Sequence, residues 1–182
     1  MIGYICRPTI YHSEVVGEDF STETPLCVTC GICCGDALFD YRSVTPDEVP
    51  GLVELGFPIE QINGGASFRM ACVHTAGAVC QVYQDRPATC RAYRCKTLKR
   101  LDEGRIDRPE ADRRVAMTKE AIANVDKHKQ PAEKIHQLRQ RLGEMAIPDA
   151  RLAIALVAYD LLLDRYFRFS DQRMMPEAHR AS

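Results

Sequence analysis

The stretch Cys27-Val28-Thr29-Cys30-Gly31-Ile32-Cys33-Cys34 contains four cysteines within eight residues. Thiolates spaced by two residues can converge on one metal from a single tight loop. A second set of four follows at Cys72, Cys80, Cys90 and Cys95. Eight of the nine cysteines therefore fall into two groups, which predicts a fold built around a metal or a metal cluster.

Length and charge limit the class of protein. A chain of 182 residues suits one domain, or a small domain with a helical extension. Hydrophobic residues make up 46% and charged residues 27% of the chain, as in ordinary globular proteins. The net charge of −1 offers no basic excess for nucleic acid or an anionic membrane. We therefore expect neither as a partner.

The sequence shows no export or membrane signal. Met1 to Pro8 has no basic region before an apolar core, and the apolar run from Leu152 to Tyr159 is too short to span a bilayer. We therefore expect a cytoplasmic protein. A reducing cytoplasm favours metal binding over disulfides, and the odd cysteine count also weakens the disulfide alternative. Cys6 stands apart from both groups and is predicted to be a buried apolar residue.

Residues 1–104 predict a cysteine-cluster metal-binding domain with short elements. Residues 37–42 predict a strand, and Thr45 to Glu48 predict a capped helix start, with the helix ended by Gly56 and Pro58. Residues 67–73 and 78–83 predict a hairpin around Gly77 that carries Cys72 and Cys80. Residues 88–101 predict one helix that holds Cys90 and Cys95.

Residues 105–170 predict a three-helix bundle or cover, and residues 171–182 a flexible tail. Two stripes of apolar residues have helical spacing, and Pro109, Pro131 and Pro148 each suit a first helical turn. The last helix, from about 149 to 169, is apolar nearly all round, so we expect it to be buried. The predicted fold class is α+β, mostly α. The stripes are Ala111, Val115, Thr118, Ile122 and Val125, then Ile135, Leu138, Leu142 and Met145.

The first cysteine run permits two kinds of metal site. Cys27, Cys30 and Cys33 have the spacing of the three local ligands of a ferredoxin cubane, which also takes a remote fourth. A single C-x2-C pair equally suits tetrahedral zinc. Cys34 directly follows Cys33, and adjacent side chains diverge. Cys34 therefore serves a second site, with three remote cysteines, or one larger centre takes both.

Basic residues near the second cysteine set can offset the charge of a thiolate site. Two zinc ions with eight thiolates carry a formal charge of about −4. Arg86, Arg91 and Arg94 are candidates to contact the cofactor, because guanidinium groups donate hydrogen bonds to ligand sulfurs. The alternative is that they are solvated surface charges. His74 could replace a cysteine ligand, although a lone histidine is more often structural.

These motifs resemble the YkgJ-like cysteine-cluster family, described as a zinc- or iron-chelating domain. The family pattern is a C-x2-C-x2-C-C run, a cysteine pair before an aromatic residue, then R-P-x-x-C-R and a last cysteine. The resemblance implies metal chelation. A related domain in flagellin lysine methylases adds a modification role as an implied alternative. The pattern here covers residues 27–95, with Cys27 to Cys34, Cys72, Cys80, Tyr83, Arg86 to Arg91 and Cys95.

Three functions remain open at this point. The chain is a metal- or cluster-binding protein that handles metal, carries electrons or acts as an accessory; an enzyme whose cluster assists a modification; or a structural zinc module that presents its C-terminal helices to a protein partner. Eight thiolates permit closed sites, which favours the first and third functions. We favour an iron–sulfur cluster over zinc because of the ferredoxin-like triple. No motif indicates catalytic residues, a substrate or an oligomeric state.

Overall fold

The computed structural model describes residues 25–146 and 149–169. These residues contain seven α-helices and five short strands, which confirms the predicted class, α+β and mostly α. The predictions for Cys6, Pro148 and the tail fall outside the described residues. The helices are α1 Leu26–Cys30, α2 Val49–Glu54, α3 Ala88–Ala92, α4 Lys96–Asp102, α5 Arg108–Asp126, α6 Ile135–Glu144 and α7 Ala150–Tyr166. The strands are β1 Tyr41–Ser43, β2 Glu60–Ile62, β3 Gly65–Arg69, β4 Thr75–Ala76 and β5 Val79–Cys80.

The strands β1, β3 and β2 form an antiparallel sheet in that order. Asn63 and Gly64 join β2 to β3, and both have positive φ, as a tight two-residue hairpin turn requires. The predicted strand at 37–42 is displaced, because β1 begins only at Tyr41. Phe68 of β3 is almost completely buried and anchors one face of the sheet.

The predicted hairpin of residues 67–73 with 78–83 is wrong. Ser67 belongs to β3, where it pairs with β1 on one side and β2 on the other, and Cys72 follows the end of that strand. The hairpin is only two residues long on each side, with Thr75 opposite Cys80 around the turn at Gly77. In the three-stranded sheet Ser67 pairs on both sides, and Phe68 and Arg69 pair with β1, so the long hairpin with residues 78–83 does not form.

The predicted helix over 88–101 is also wrong, because it is two helices. α3 ends at Ala92, and Tyr93 and Cys95 are extended. Cys95 is the N-cap of α4, and its sulfur accepts a hydrogen bond from the backbone N–H of Leu98 at 3.4 Å. The break therefore turns Cys95 into a cap residue and separates it from the helix that carries Cys90.

The helix start predicted at Thr45 is confirmed. Residues Pro46–Glu48 form a single 3-10 turn that continues into α2, and Glu48 accepts a hydrogen bond from the Thr45 N–H at 3.0 Å. The other Glu48 oxygen accepts from the backbone N–H of Ala88 at 2.6 Å. One carboxylate thereby ties the start of α2 to the start of α3, and these hydrogen bonds, that of Ala88 first, lower the Glu48 pKa.

The three C-terminal helices are present, with two corrections. Asp107 caps α5 through a hydrogen bond from the Glu110 N–H at 2.9 Å, and Pro109 lies in the first turn, as expected. Pro131 does not begin a helix, because α6 starts at Ile135. Met145 follows the end of α6 and is exposed, so it does not extend the second apolar stripe.

The prediction that α7 is buried all round is wrong. Leu163 is fully buried, but Ile154, Val157 and Leu161 are 70%, 59% and 64% exposed. The helix packs against α5 along one face. No described residue covers the opposite apolar face, so α7 is a surface helix with an unusually apolar outer side.

The first cysteine run and the C-terminal helices share one hydrophobic core. Leu26, Ile32 and Leu38 lie in the same buried cluster as Leu138 and Leu163. A second cluster lies under the three-stranded sheet, around Val44, Leu52, Phe57, Phe68 and Met70. The predicted domain boundary at residue 104 stays a prediction. Within the described residues, no helix has the length and apolar character needed to cross a membrane.

Candidate metal centre

All eight clustered cysteines line a single cavity of about 420 Å³. Its remaining wall is mostly aromatic and aliphatic, with Phe39, Phe57 and Phe68 among the lining residues. Four arginines, Arg42, Arg86, Arg94 and Arg108, also line it. Cysteines separated by up to 68 positions in the chain are thus gathered around one space that has both thiol donors and cations.

The first cysteine run is shaped by Gly31. α1 ends there with φ of +69°, in the left-handed region. A Cβ on Gly31 would lie 2.8 Å from the carbonyl oxygen of Ala78, so the run can approach the β4–β5 turn only because this residue is glycine. The backbone N–H of Cys72 donates to the carbonyl of Cys34 at 2.8 Å. These two contacts bring the second cysteine set against the first.

Backbone N–H groups lie near several of the sulfurs. The backbone N–H groups two residues further along, on Ile32, His74 and Val82, oppose the rise in pKa that burial causes at Cys30, Cys72 and Cys80. Cys95 accepts from Leu98. Because an N–H dipole stabilises a negative sulfur, this arrangement favours thiolates, the form in which cysteine binds a metal.

Burial opposes that charge when no cation is present. Desolvation raises the pKa of Cys30 to about 12 and those of Cys90 and Cys95 to about 11. Cys34 is the exception, since a hydrogen bond from Cys33 lowers its pKa to about 7, and the same hydrogen bond raises the pKa of Cys33. A metal must therefore displace protons from most of these thiols as it binds.

The eight thiols suit a thiophilic metal in chemistry, although their side chains are not arranged as a closed coordination site. Within residues 25–146 and 149–169, no three cysteine, histidine or acidic side chains are gathered tightly enough to hold an ion. The eight cysteines nevertheless line one cavity. The residues therefore fit zinc or iron in donor chemistry, and binding requires the side chains to turn inward.

The arginines predicted from the sequence occupy different places. Arg86 lies over the Tyr83 ring at 3.7 Å and interacts electrostatically with Cys27, Cys34 and Cys80. Arg94 lines the cavity and forms an ion pair with Asp102 at 3.5 Å. Arg91 is exposed, donates to the backbone carbonyl of Arg86 and does not line the cavity.

Arg42 is a cavity residue that sequence reasoning missed. Its guanidinium lies 4.2 Å from the ring centroid of Phe39 and interacts electrostatically with Cys34 and Cys90. In the sequence it follows an aromatic segment more than 25 residues before the second cysteine set, so no spacing rule links it to the cysteines. Only the pairing of β1 with β3 brings it to the cavity.

His74 lies beside the cysteines but not in the cavity wall. Its ring packs on Phe57 with 4.3 Å between centroids, and its Nε2 is buried with no hydrogen-bond partner among the described residues. Its backbone N–H acts to lower the pKa of Cys72, against the larger effect of burial. The structure thus shows a backbone role for His74, and ligation by its ring stays a prediction.

Comparison with known proteins gives one match. A family model named CxxCxxCC, with the description "Putative zinc- or iron-chelating domain", matches residues 26–128, more than half of the chain. The match extends beyond Cys95 and includes α5, which the motif of residues 27–95 left out. Neither a curated protein nor a solved structure matches the chain.

Proposed function

The chain belongs to the CxxCxxCC family, and from that premise we propose that its eight clustered cysteines chelate iron, as an iron–sulfur cluster, or zinc. The role that follows is metal handling, electron transfer or service as an accessory to another protein. The observation that carries the proposal is the convergence of all eight thiols on one cavity. Buried cysteines used only for packing would not need to share one space with four arginines.

The hydrogen bonds at the sulfurs support chelation over simple burial. Neutral thiols are weak acceptors, whereas thiolates bound to a metal remain electron-rich and accept N–H bonds well. Cys95 has such a donor at 3.4 Å, and backbone N–H groups near Cys30, Cys72 and Cys80 act to lower the pKa of those thiols. Arg42 and Arg86 would offset the remaining negative charge of the metal–thiolate group.

A full set of eight thiolate ligands favours binding over turnover. Four protein ligands per metal leave no coordination position for a substrate, whereas catalytic zinc sites keep one open. The proposal therefore places the enzyme alternative second. A protein partner on the C-terminal helices stays a prediction, and the exposed apolar side of α7 is the surface on which to test it.

The deciding experiment is elemental analysis with acid-labile sulfide and a visible spectrum, on protein purified without oxygen. Iron with matching sulfide and a broad brown absorption would identify a cluster. Zinc at about two per chain without sulfide would identify closed thiolate sites. Protein that binds neither metal, even after reconstitution, would refute the proposal.

Mutation of one ligand provides the matched test. We expect Cys30→Ser to lower the metal content and the solubility, because serine cannot replace a buried thiolate ligand. Cys6→Ser makes the same chemical change outside both cysteine groups and should leave both properties unchanged. An unchanged metal-to-protein ratio in Cys30→Ser would remove Cys30 from the ligand set.

A further inference from the structure

Resting on the proposed function, we propose that the eight cysteines form two separate four-thiolate sites that share one cavity. Site A consists of Cys27, Cys30, Cys33 and Cys95. Site B consists of Cys34, Cys72, Cys80 and Cys90. Each site takes a thiophilic metal, as a zinc ion or as an iron–sulfur cluster with one cysteine per corner.

The two hydrophobic clusters separate the cysteines along this line. Cys30, Cys33 and Cys95 belong to or pack against the cluster that the C-terminal helices cover. Cys72 and Cys90 pack against the other cluster, under the three-stranded sheet. Because the two groups of cysteines pack against different hydrophobic clusters, each metal would be held by ligands that a different cluster positions.

The thiols that raise one another's pKa through charge follow the same division, which the two hydrophobic clusters define. Cys30 interacts with Cys95 and Cys27, and Cys95 in turn interacts with Cys27. In the other group, Cys90 interacts with Cys34, Cys72 and Cys80. Cys72 likewise interacts with Cys34 and Cys80. Three cysteines of the second sequence group are thus neighbours of one another, whereas Cys95 is a neighbour of the first run.

Cys34 lies between the sites, since its sulfur also interacts with Cys33 and Cys27. A backbone contact assigns it to site B, because its carbonyl accepts a hydrogen bond from the Cys72 N–H at 2.8 Å.

Arg86 is placed to serve both sites. It interacts with Cys27 of site A and with Cys34 and Cys80 of site B. Two metal–thiolate groups in one cavity repel each other, and a guanidinium between them reduces that repulsion. We therefore expect Arg86→Met to weaken binding of the second metal more than binding of the first, in a zinc titration.

The proposal is tested on the full-length wild-type chain, reconstituted with zinc alone. A limiting amount of chelator is added, free thiols are alkylated, and intact chains are sorted by mass into those that keep two, one or no zinc ions. Alkylation sites are then mapped in the one-zinc chains. Apart from Cys6, which belongs to neither site, we expect the labelled cysteines of any one chain to be the four of site A or the four of site B, never a mixture.

Mixed labelling in the one-zinc chains would overturn the two-site assignment. The absence of any one-zinc species, with all eight cysteines released together, would overturn it in favour of a single centre. Either result leaves zinc binding itself intact. A chain that takes up no zinc at the start would instead refute the proposed function.

Paired variants give an independent measurement of the zinc content. Cys27→Ser and Cys95→Ser should each lose about one zinc, and the double variant should lose no more than either alone, because both residues hold the same ion. Cys95→Ser combined with Cys90→Ser should lose both ions. Cys6→Ser is the chemically matched control. If a variant fails to fold, the wild-type alkylation experiment still decides the question.

Discussion

Between residues 25 and 104 the longest helix has seven residues and the longest strand five, whereas α5, α6 and α7 have 19, 10 and 17 residues. Isolated helices shorter than about 12 residues are marginal in water, and a short two-stranded hairpin is no better. The region that contains all eight cysteines is therefore the one whose elements cannot support themselves. The helical region needs only ordinary packing.

The contrast explains how the two regions depend on each other. The first cysteine run is held against the C-terminal helices by apolar contacts and by the carbonyl of Ala37, which accepts from the Tyr159 hydroxyl at 3.2 Å and from Arg168 at 2.9 Å. Of the second cysteine set, Cys95 packs against the same core, whereas Cys72 and Cys90 pack against the cluster under the three-stranded sheet. We infer that bound metal contributes more to the cysteine region than to the helices.

The largest effect should come from removal of the metal. We expect hydrogen exchange in residues 27–102 to become faster by more than tenfold, while the centres of α5 and α7 stay protected, because metal binding is coupled to folding where the elements are short. Hydrogen-exchange mass spectrometry with and without a chelator measures this. An equal loss of protection in both regions would break the comparison.

The helical region should respond most to its own core. Leu163→Ala removes a fully buried side chain of α7 and should lower the free energy of unfolding by about 2–5 kcal/mol. Leu161→Ala is the matched control, since Leu161 is exposed on the same helix and should change the stability by less than about 0.5 kcal/mol. Denaturant unfolding of the metal-loaded protein compares them. Similar losses in the two variants would mean that the outer side of α7 is covered in solution.

Contact between the two cysteine groups is tested at Gly31. Gly31→Ala must hold alanine at positive φ, for about 1–2 kcal/mol, and must also push the Ala78 backbone away. We expect lower metal content as well as lower stability. Gly77→Ala has a similar φ and nothing within 4 Å, so it should lose stability but keep its metal. Full metal content in Gly31→Ala would contradict the role given to this close approach.

The junction between the regions should show a smaller effect. Tyr159→Phe removes a buried hydrogen bond to Ala37 while Arg168 still donates to the same carbonyl, so we expect a loss of about 0.5–1.5 kcal/mol. Tyr41→Phe, which removes an exposed hydrogen bond with Asn63, should cost less. Chemical denaturation of both variants measures the difference, and a larger loss at Tyr41 would be the contrary result.

The smallest effect concerns pH and lies wholly in the helical region. Hydrogen bonds from Arg141, and next from the Gln130 N–H, lower the pKa of Glu133 to about 2. Because the pKa is lower in the folded state, the stabilisation is complete above the unfolded carboxyl value near about 4.3 and is lost as the pH falls towards 2. Glu133→Gln should therefore flatten the pH dependence of stability in this window.

The control for this pH effect is Glu120→Gln, at an exposed position of α5. It should follow the wild-type curve of unfolding free energy against pH. A Glu133→Gln curve parallel to the wild type would show that the pair with Arg141 contributes nothing to the acid sensitivity.

Local signals predicted several elements well. Thr45 and Glu48 marked a helix start, and the apolar spacing from Ala111 to Val125 marked α5. The predictions of the hairpin of residues 67–73 with 78–83 and of one helix over residues 88–101 were wrong because they depend on contacts outside a local window. Residues 67–69 are drawn into a sheet with β1, and Cys95 acts as a cap, and neither fact is visible within a short window of sequence.

The sequence by itself determined that the chain has a cysteine set of the kind that binds metals, because the residue type sets the donor chemistry. It also determined that the C-terminal part is helical, because the spacing of apolar residues follows the period of a helix. Only the tertiary structure decided which distant cysteines are neighbours, that Arg42 reaches the cavity, and that one side of α7 is exposed. These properties depend on contacts between segments far apart in the chain. Such contacts depend on which surfaces pack together, and the spacing of residues along one segment does not predict them.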